Sequence, residues 1–151
     1  MKNMMLQVKN FKVLALCSLF LVALWGCKDK DSVDLGNAED PHWVITVDND
    51  MTASMTAIVK VPFSGEPGTL AAFIGNDCCG IADYNAESGL YLLYISPSTA
   101  ANDVRLKFYS PELKRIFVGK ETFPFVYDGH LGSVSLPYTP TWEIAQDAEV
   151  K

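Results

Sequence analysis

The sequence predicts an all-β fold: a single immunoglobulin-like or related antiparallel β-sandwich of about eight strands, placed over residues 42–141. Three observations carry this prediction. Short segments after His42 alternate with period two, as in "VRLKFY", where Val104, Leu106 and Phe108 share one face and Arg105, Lys107 and Tyr109 the other. Clusters of turn-forming residues separate such segments at intervals of about 8–12 residues. No apolar spacing of the helical kind (i, i+3, i+4, i+7) persists after Cys27.

The chain begins differently. Lys2, Lys9 and Lys12 form a positive head, and residues 1–26 contain no Asp or Glu. The apolar run "VLALCSLFLVALW", Val13 to Trp25, follows. It is shorter than the roughly 20 residues that span a bilayer as a helix and has the layout of a secretion signal. A buried amphipathic helix is the competing reading, and apolarity on all sides argues against it. "LWGC" resembles the lipobox of bacterial lipoproteins, with Leu24 at −3, Gly26 at −1 and Cys27 at +1. Trp25 departs from the usual small residue at −2, and Cys17, preceded by bulky Leu16, fits less well. The resemblance implies cleavage after Gly26, a diacylglyceryl group on the Cys27 sulfur and acylation of the new amine. Two or more acyl chains make a stable anchor.

Residues 1–26 are therefore read as a lipoprotein signal peptide, and residues 27–41 as the lipidated Cys and a flexible acidic tether. The tether, "KDKDSVDLGNAEDP", would place the domain on the order of 20 Å from the membrane as a random coil. Its mix of Lys and Asp resembles the charged tracts of surface-exposed Bacteroidetes lipoproteins, which implies the outer membrane and its outer face, the periplasmic face being the alternative. After cleavage, nine basic residues stand against 18 acidic ones, a net charge of −9. That balance argues against a nucleic-acid partner and against docking on anionic lipid.

The strands follow in order. "SMTAIVKVP" sets Met55, Ala57, Val59 and Val61 on one face. "LAAFI" and "YLLYI" are short, nearly continuous apolar runs, and "VRLKFY" alternates. "FPFVY" puts Phe123, Phe125 and Tyr127 on one side, and "SVSLPY" does the same for Val134, Leu136 and Tyr138. Turn signals lie between them: "SGEPG", "GND", "NAESG", "SPSTAAND", "SPE" and "DG". Residues 142–151 read as a polar C-terminal tail. Together "SMTAIVKV", "LAAFIGNDCCGIA", "YLLYI", "VRLKFY" and "DGHLGSVSLPY" resemble a largely uncharacterised β-sandwich module of secreted and surface proteins of Bacteroidetes, of the A-F-x-G-x-x-C-x-G type. The resemblance spans about 100 residues and implies a fold but no activity. Cys79 stands where the module usually has Arg, so any role of that Arg does not carry over.

Candidate chemistry is sparse. Cys78 and Cys79 are neighbours on a strand and point to opposite faces, one into the core and one outward. A strained vicinal disulfide and an intermolecular disulfide through an exposed Cys79 are the sharper alternatives. A zinc site lacks both the Cys-x-x-Cys spacing and nearby histidines. Asp48 and Asp50 in "VDND" are a weak calcium candidate without EF-hand spacing, against a polar turn capped by its own side chains. No metal or other cofactor is otherwise indicated. Trp43, Tyr84 and Trp142 are candidate ligand contacts, as rings for sugar stacking or protein contact. For Trp43, packing in the core or at an edge competes with that role, and Trp142 is the best candidate for an exposed ring. No nucleophile elbow, zinc-protease helix or phosphate loop is present.

The expected function is a lipid-anchored cell-envelope module that binds or adheres to glycan or protein and is not an enzyme. A structural accessory subunit of an envelope complex is the alternative. A small hydrolase is the third class, though no local spacing reveals its pair of acids.

Overall fold

The computed structural model describes residues 37–48 and 54–146. The signal peptide, Cys27, Asp50 and residues 147–151 lie outside the described residues. The described residues form an all-β sandwich. Nine strands build it: β1 (Met55–Val59), β2 (Thr69–Ile74), β3 (Asp77–Ile81), β4 (Asp83–Asn85), β5 (Leu90–Ile95), β6 (Asp103–Ser110), β7 (Arg115–Pro124), β8 (His130–Leu131) and β9 (Trp142–Ile144). One sheet has the order β4-β5-β1-β8 and the other β3-β2-β6-β7-β9.

The core lies between the sheets and follows directly from period-two alternation. On β1, Met55, Ala57 and Val59 are buried and pair across the strand with Ile95, Leu93 and Tyr91. Facing them, Leu70, Ala72 and Ile74 of β2 pair with Phe108, Leu106 and Val104 of β6. All twelve belong to one cluster. Each large aliphatic or aromatic side chain so buried contributes about 1.5–3 kcal/mol. The near-continuous apolar run of β2 has a second cause, because its outward residues Ala71 and Phe73 are covered too, with Trp43 packed against them.

Several expectations need correction. The pairing of β1 with β8 is parallel, unlike every other strand pair, and a parallel bridge joins Val59 to Tyr138. "SVSLPY" is not a strand: Val134 and Leu136 are 70% and 78% exposed. The chain pairs with β1 at β8, loops outward, and returns at Tyr138, whose N–H donates to Ile58 O. Within the excursion, Ser133 and Leu136 exchange backbone hydrogen bonds, and Ser133 Oγ also accepts from Leu136 N–H. Gly132 permits the exit with φ of 74°, and a Cβ there would lie 2.6 Å from Ile58 O.

Tyr127 leaves the face of Phe123 and Phe125 because β7 stops at Pro124 and a tight turn follows, with Gly129 N–H donating to Val126 O. Phe123 and Phe125 stay in the core, whereas Tyr127 is exposed. The stretch read as a polar tail opens with β9, which pairs antiparallel with β7. At the other end, the last residues of the expected tether already touch the sandwich, where Ala38 N–H donates to Lys114 O.

Candidate ligand-binding face

Because Met55, Ala57 and Val59 point inward, Thr56 and Ile58 point out of the four-stranded sheet. Cross-strand partners share a face, so the register assembles an outward row of Tyr94 (β5), Thr56 (β1) and His130 (β8). The adjacent row is Asp83 (β4), Leu92 (β5) and Ile58 (β1). Tyr94 is 55% exposed, and Leu92 and Ile58 are half-buried. "YLLYI" is thus an apolar run whose outer face stays open, unlike that of β2.

Backbone pairing fixes the polar end of this row. Asp128 N–H donates to Ser54 O at 3.0 Å and Thr56 N–H to Gly129 O at 2.9 Å, locking the turn before β8 against β1. Asp128 adopts a φ of 53° to make that turn. Thr56 Oγ1 and His130 Nδ1 then share a hydrogen bond of 2.5 Å, whose donor depends on the imidazole tautomer. An exposed aromatic ring beside a hydroxyl, an imidazole and the Asp83 carboxylate combines a stacking surface with donors and acceptors. That is the chemistry needed to hold a polar ligand with apolar C–H faces.

A hydroxyl against an imidazole is also the beginning of a nucleophile–base pair. Among the described residues, however, no carboxylate hydrogen-bonds His130 to orient it as a catalytic base requires. The other histidine, His42, is exposed, 3.7 Å from Asp40.

The structure scatters the aromatic candidates. Trp43 stands half-buried on the outer face of the five-stranded sheet, edge-on to Phe73 with ring centroids 5.6 Å apart. Trp142 is not an exposed ring in a tail; β9 turns it onto the inter-sheet core, 6.1 Å from Phe108 and 6.2 Å from Phe63. Tyr84, on edge strand β4, remains 42% exposed with its ring 4.9 Å from that of Tyr91. Tyr91 is buried, and its hydroxyl accepts from Gly68 N–H at 3.1 Å.

The cysteines do face opposite sides, but neither is exposed. A bulge in the β2–β3 pairing sets Gly80 opposite Ala72 and Cys78 opposite Phe73. Cys79 enters the inter-sheet core, whereas Cys78 joins Ala71 and Phe73 on the outer face beside Trp43. Both are free thiols, which corrects the exposed Cys79 and leaves it no route to a partner chain in the folded state. Burial pushes the Cys79 thiol up to about 11, with Asp77 adding to the effect, and burial raises Cys78 as well. Of the calcium candidates, Asp48 is exposed and Asp50 lies outside the described residues. Among the described residues, no three His, Cys, Asp or Glu side chains group to hold a metal ion.

The row of Tyr94, Thr56 and His130 was not legible in the sequence as a site. Tyr94 is visible there only as the end of an apolar run, and His130 lies 74 residues from its hydroxyl partner. No protein-family model matches the chain, and no curated protein or solved structure matches it either.

Proposed function

We propose that this chain is a lipid-anchored cell-envelope module that binds glycan without catalysis, using the outward face of its four-stranded sheet. The observation that carries the binding reading is the exposed Tyr94 ring in register with the hydrogen-bonded Thr56–His130 pair. The anchoring reading is supported by the lipobox-like "LWGC" and the charged stretch after it, and it assigns the protein to the outer membrane, at the cell surface. Tyr84, in register with the core-facing Tyr91, lies on the other side of that sheet and is not part of this face.

Two measurements test this. On a glycan array, the purified chain captures a restricted set of sugars, and Tyr94→Ala abolishes capture while shifting stability by less than about 0.5 kcal/mol, as for other surface positions. Capture that survives Tyr94→Ala would move the site elsewhere, and a blank array would remove glycan as the ligand. For the anchor, labelling with a clickable fatty acid marks the wild type and leaves Cys27→Ser blank.

One observation favours a second reading, a structural accessory that packs against another envelope protein. Val134 and Leu136 project from the excursion after β8 and, with Val44, are the most exposed large apolar side chains among the described residues. Crosslinking on intact cells through either position, with one recurrent protein captured, would support that reading.

A further inference from the structure

Residues 37–46 cross the outer face of the five-stranded sheet as a strap that forms no strand of its own. Its attachments are few. Ala38 N–H donates to Lys114 O at 2.9 Å, at the end of the β6–β7 turn. Trp43 meets Phe73 edge-on. Thr46 closes the far end on β3, its N–H donating to Cys78 O at 2.9 Å and its Oγ1 accepting from Cys78 N–H at 3.0 Å. Between Trp43 and Thr46, Val44 and Ile45 face solvent.

Docking also carries an unreturned cost: among the described residues, the Trp43 indole N–H is buried without a hydrogen-bond partner. Beneath the strap, Ala71, Phe73 and Cys78 form a small cluster separate from the inter-sheet core. Phe73 keeps another partner on the sheet itself, because Lys107 Nζ lies 4.6 Å from its ring centroid. Val47, just past Thr46, packs against the inter-sheet core and marks the hinge, so lifting residues 37–46 would strip one side of one sheet and leave the packing between the sheets in place.

We propose that the strap is a latch that undocks as a unit while the sandwich stays folded, and that undocking uncovers the Cys78 thiol but not the Cys79 thiol. Local opening of this kind is drawn from segments with few buried contacts. The adjacent cysteines report on two different events. Cys78 becomes reactive when the strap lifts, and Cys79 only when the sheets separate. Any pull on the chain before Asn37 reaches the sandwich through the strap first. If Cys27 is anchored as proposed above, membrane load is applied to this latch, although the latch itself does not rest on that anchoring.

The experiment is N-ethylmaleimide labelling of the full-length chain in native buffer, with fragment-ion mass spectrometry separating Cys78 from Cys79. Cys78 is expected to label at least about tenfold faster than Cys79. Trp43→Ala and Thr46→Val are each expected to speed Cys78 labelling about tenfold, the effect of weakening docking by one decade, without moving the Cys79 rate. Equal labelling of the two thiols, tracking global unfolding in urea, would overturn the latch. So would a Cys78 that stays unlabelled, or one whose rate neither variant changes. If Trp43→Ala loosens the whole fold, both rates rise together in that variant, and Thr46→Val decides: a rise confined to Cys78 upholds the latch, and a parallel rise overturns it.

Discussion

Cys79 shows what a single position inherits from its surroundings. An unremarkable small hydrophobe by chemistry, it sits between the sheets, where the charged thiolate is disfavoured and its pKa rises from 9.0 to about 11. The sign of the consequence is fixed. Between pH 9 and about 11 the unfolded chain loses this proton and the folded chain keeps it, so stability falls with rising pH in that window and is unaffected below it. Burial raises Tyr91 in the same direction at higher pH. Urea unfolding at pH 8, 10 and 11 should show the decline, and Cys79→Ala should flatten its lower part at the cost of about 1 kcal/mol from lost packing. Gly80, the next residue, is required for a different reason. A Cβ there would lie 2.2 Å from Tyr94 O, where β3 and β5 approach closely enough for Ser96 N–H to donate to Cys79 O. Gly80→Ala is therefore expected to destabilise by about 3 kcal/mol, measured by the same unfolding assay.

At the scale of elements, the long strands and the short edge strands behave differently. β1, β2, β5 and β6 carry enough alternating or continuous apolar character to be read directly, because a period of two is a local property. β4, β8 and β9 have three, two and three residues and exist because a neighbouring strand offers hydrogen bonds. Their sequences contain too few positions to show a period. β9 matters most, since it places Trp142, expected as an exposed ring, half-buried against the core. Trp142→Ala should cost about 2–3 kcal/mol in unfolding free energy and leave glycan capture intact. The opposite holds for the excursion after β8, where alternation is present but no partner strand receives it. Val134→Ser and Leu136→Ser should each change stability by less than about 0.5 kcal/mol, because both side chains are already in water.

For the molecule as a whole, charge and connectivity frame the proposed role. If residues 1–26 are removed as proposed, the remaining net charge of −9 disfavours electrostatic binding to anionic surfaces, and under the proposed function membrane attachment rests on a lipid at Cys27. Cys27→Ser should shift the protein from the membrane fraction to the soluble fraction in cells, read by fractionation and immunoblot. The two faces of the sandwich then divide the work. The strap covers part of the outer face of one sheet and connects to the chain that leads to the proposed anchor, while the open face of the other carries the exposed ring of Tyr94.

The sequence by itself determined the all-β class, the inward faces of β1 and β6, the opposed directions of Cys78 and Cys79, and the expectation of export and lipidation. Each of these depends on neighbours within a few residues: alternation along a strand, turn-formers between strands, or a short processing motif. Only the tertiary structure decided that β8 runs parallel to β1, that Trp142 packs against the core and Val134 does not, and that Tyr94, Thr56 and His130 form one row. Those outcomes depend on which strands pair and in what register. Pairing joins residues as far apart as Thr56 and His130, and no local period encodes the choice of partner.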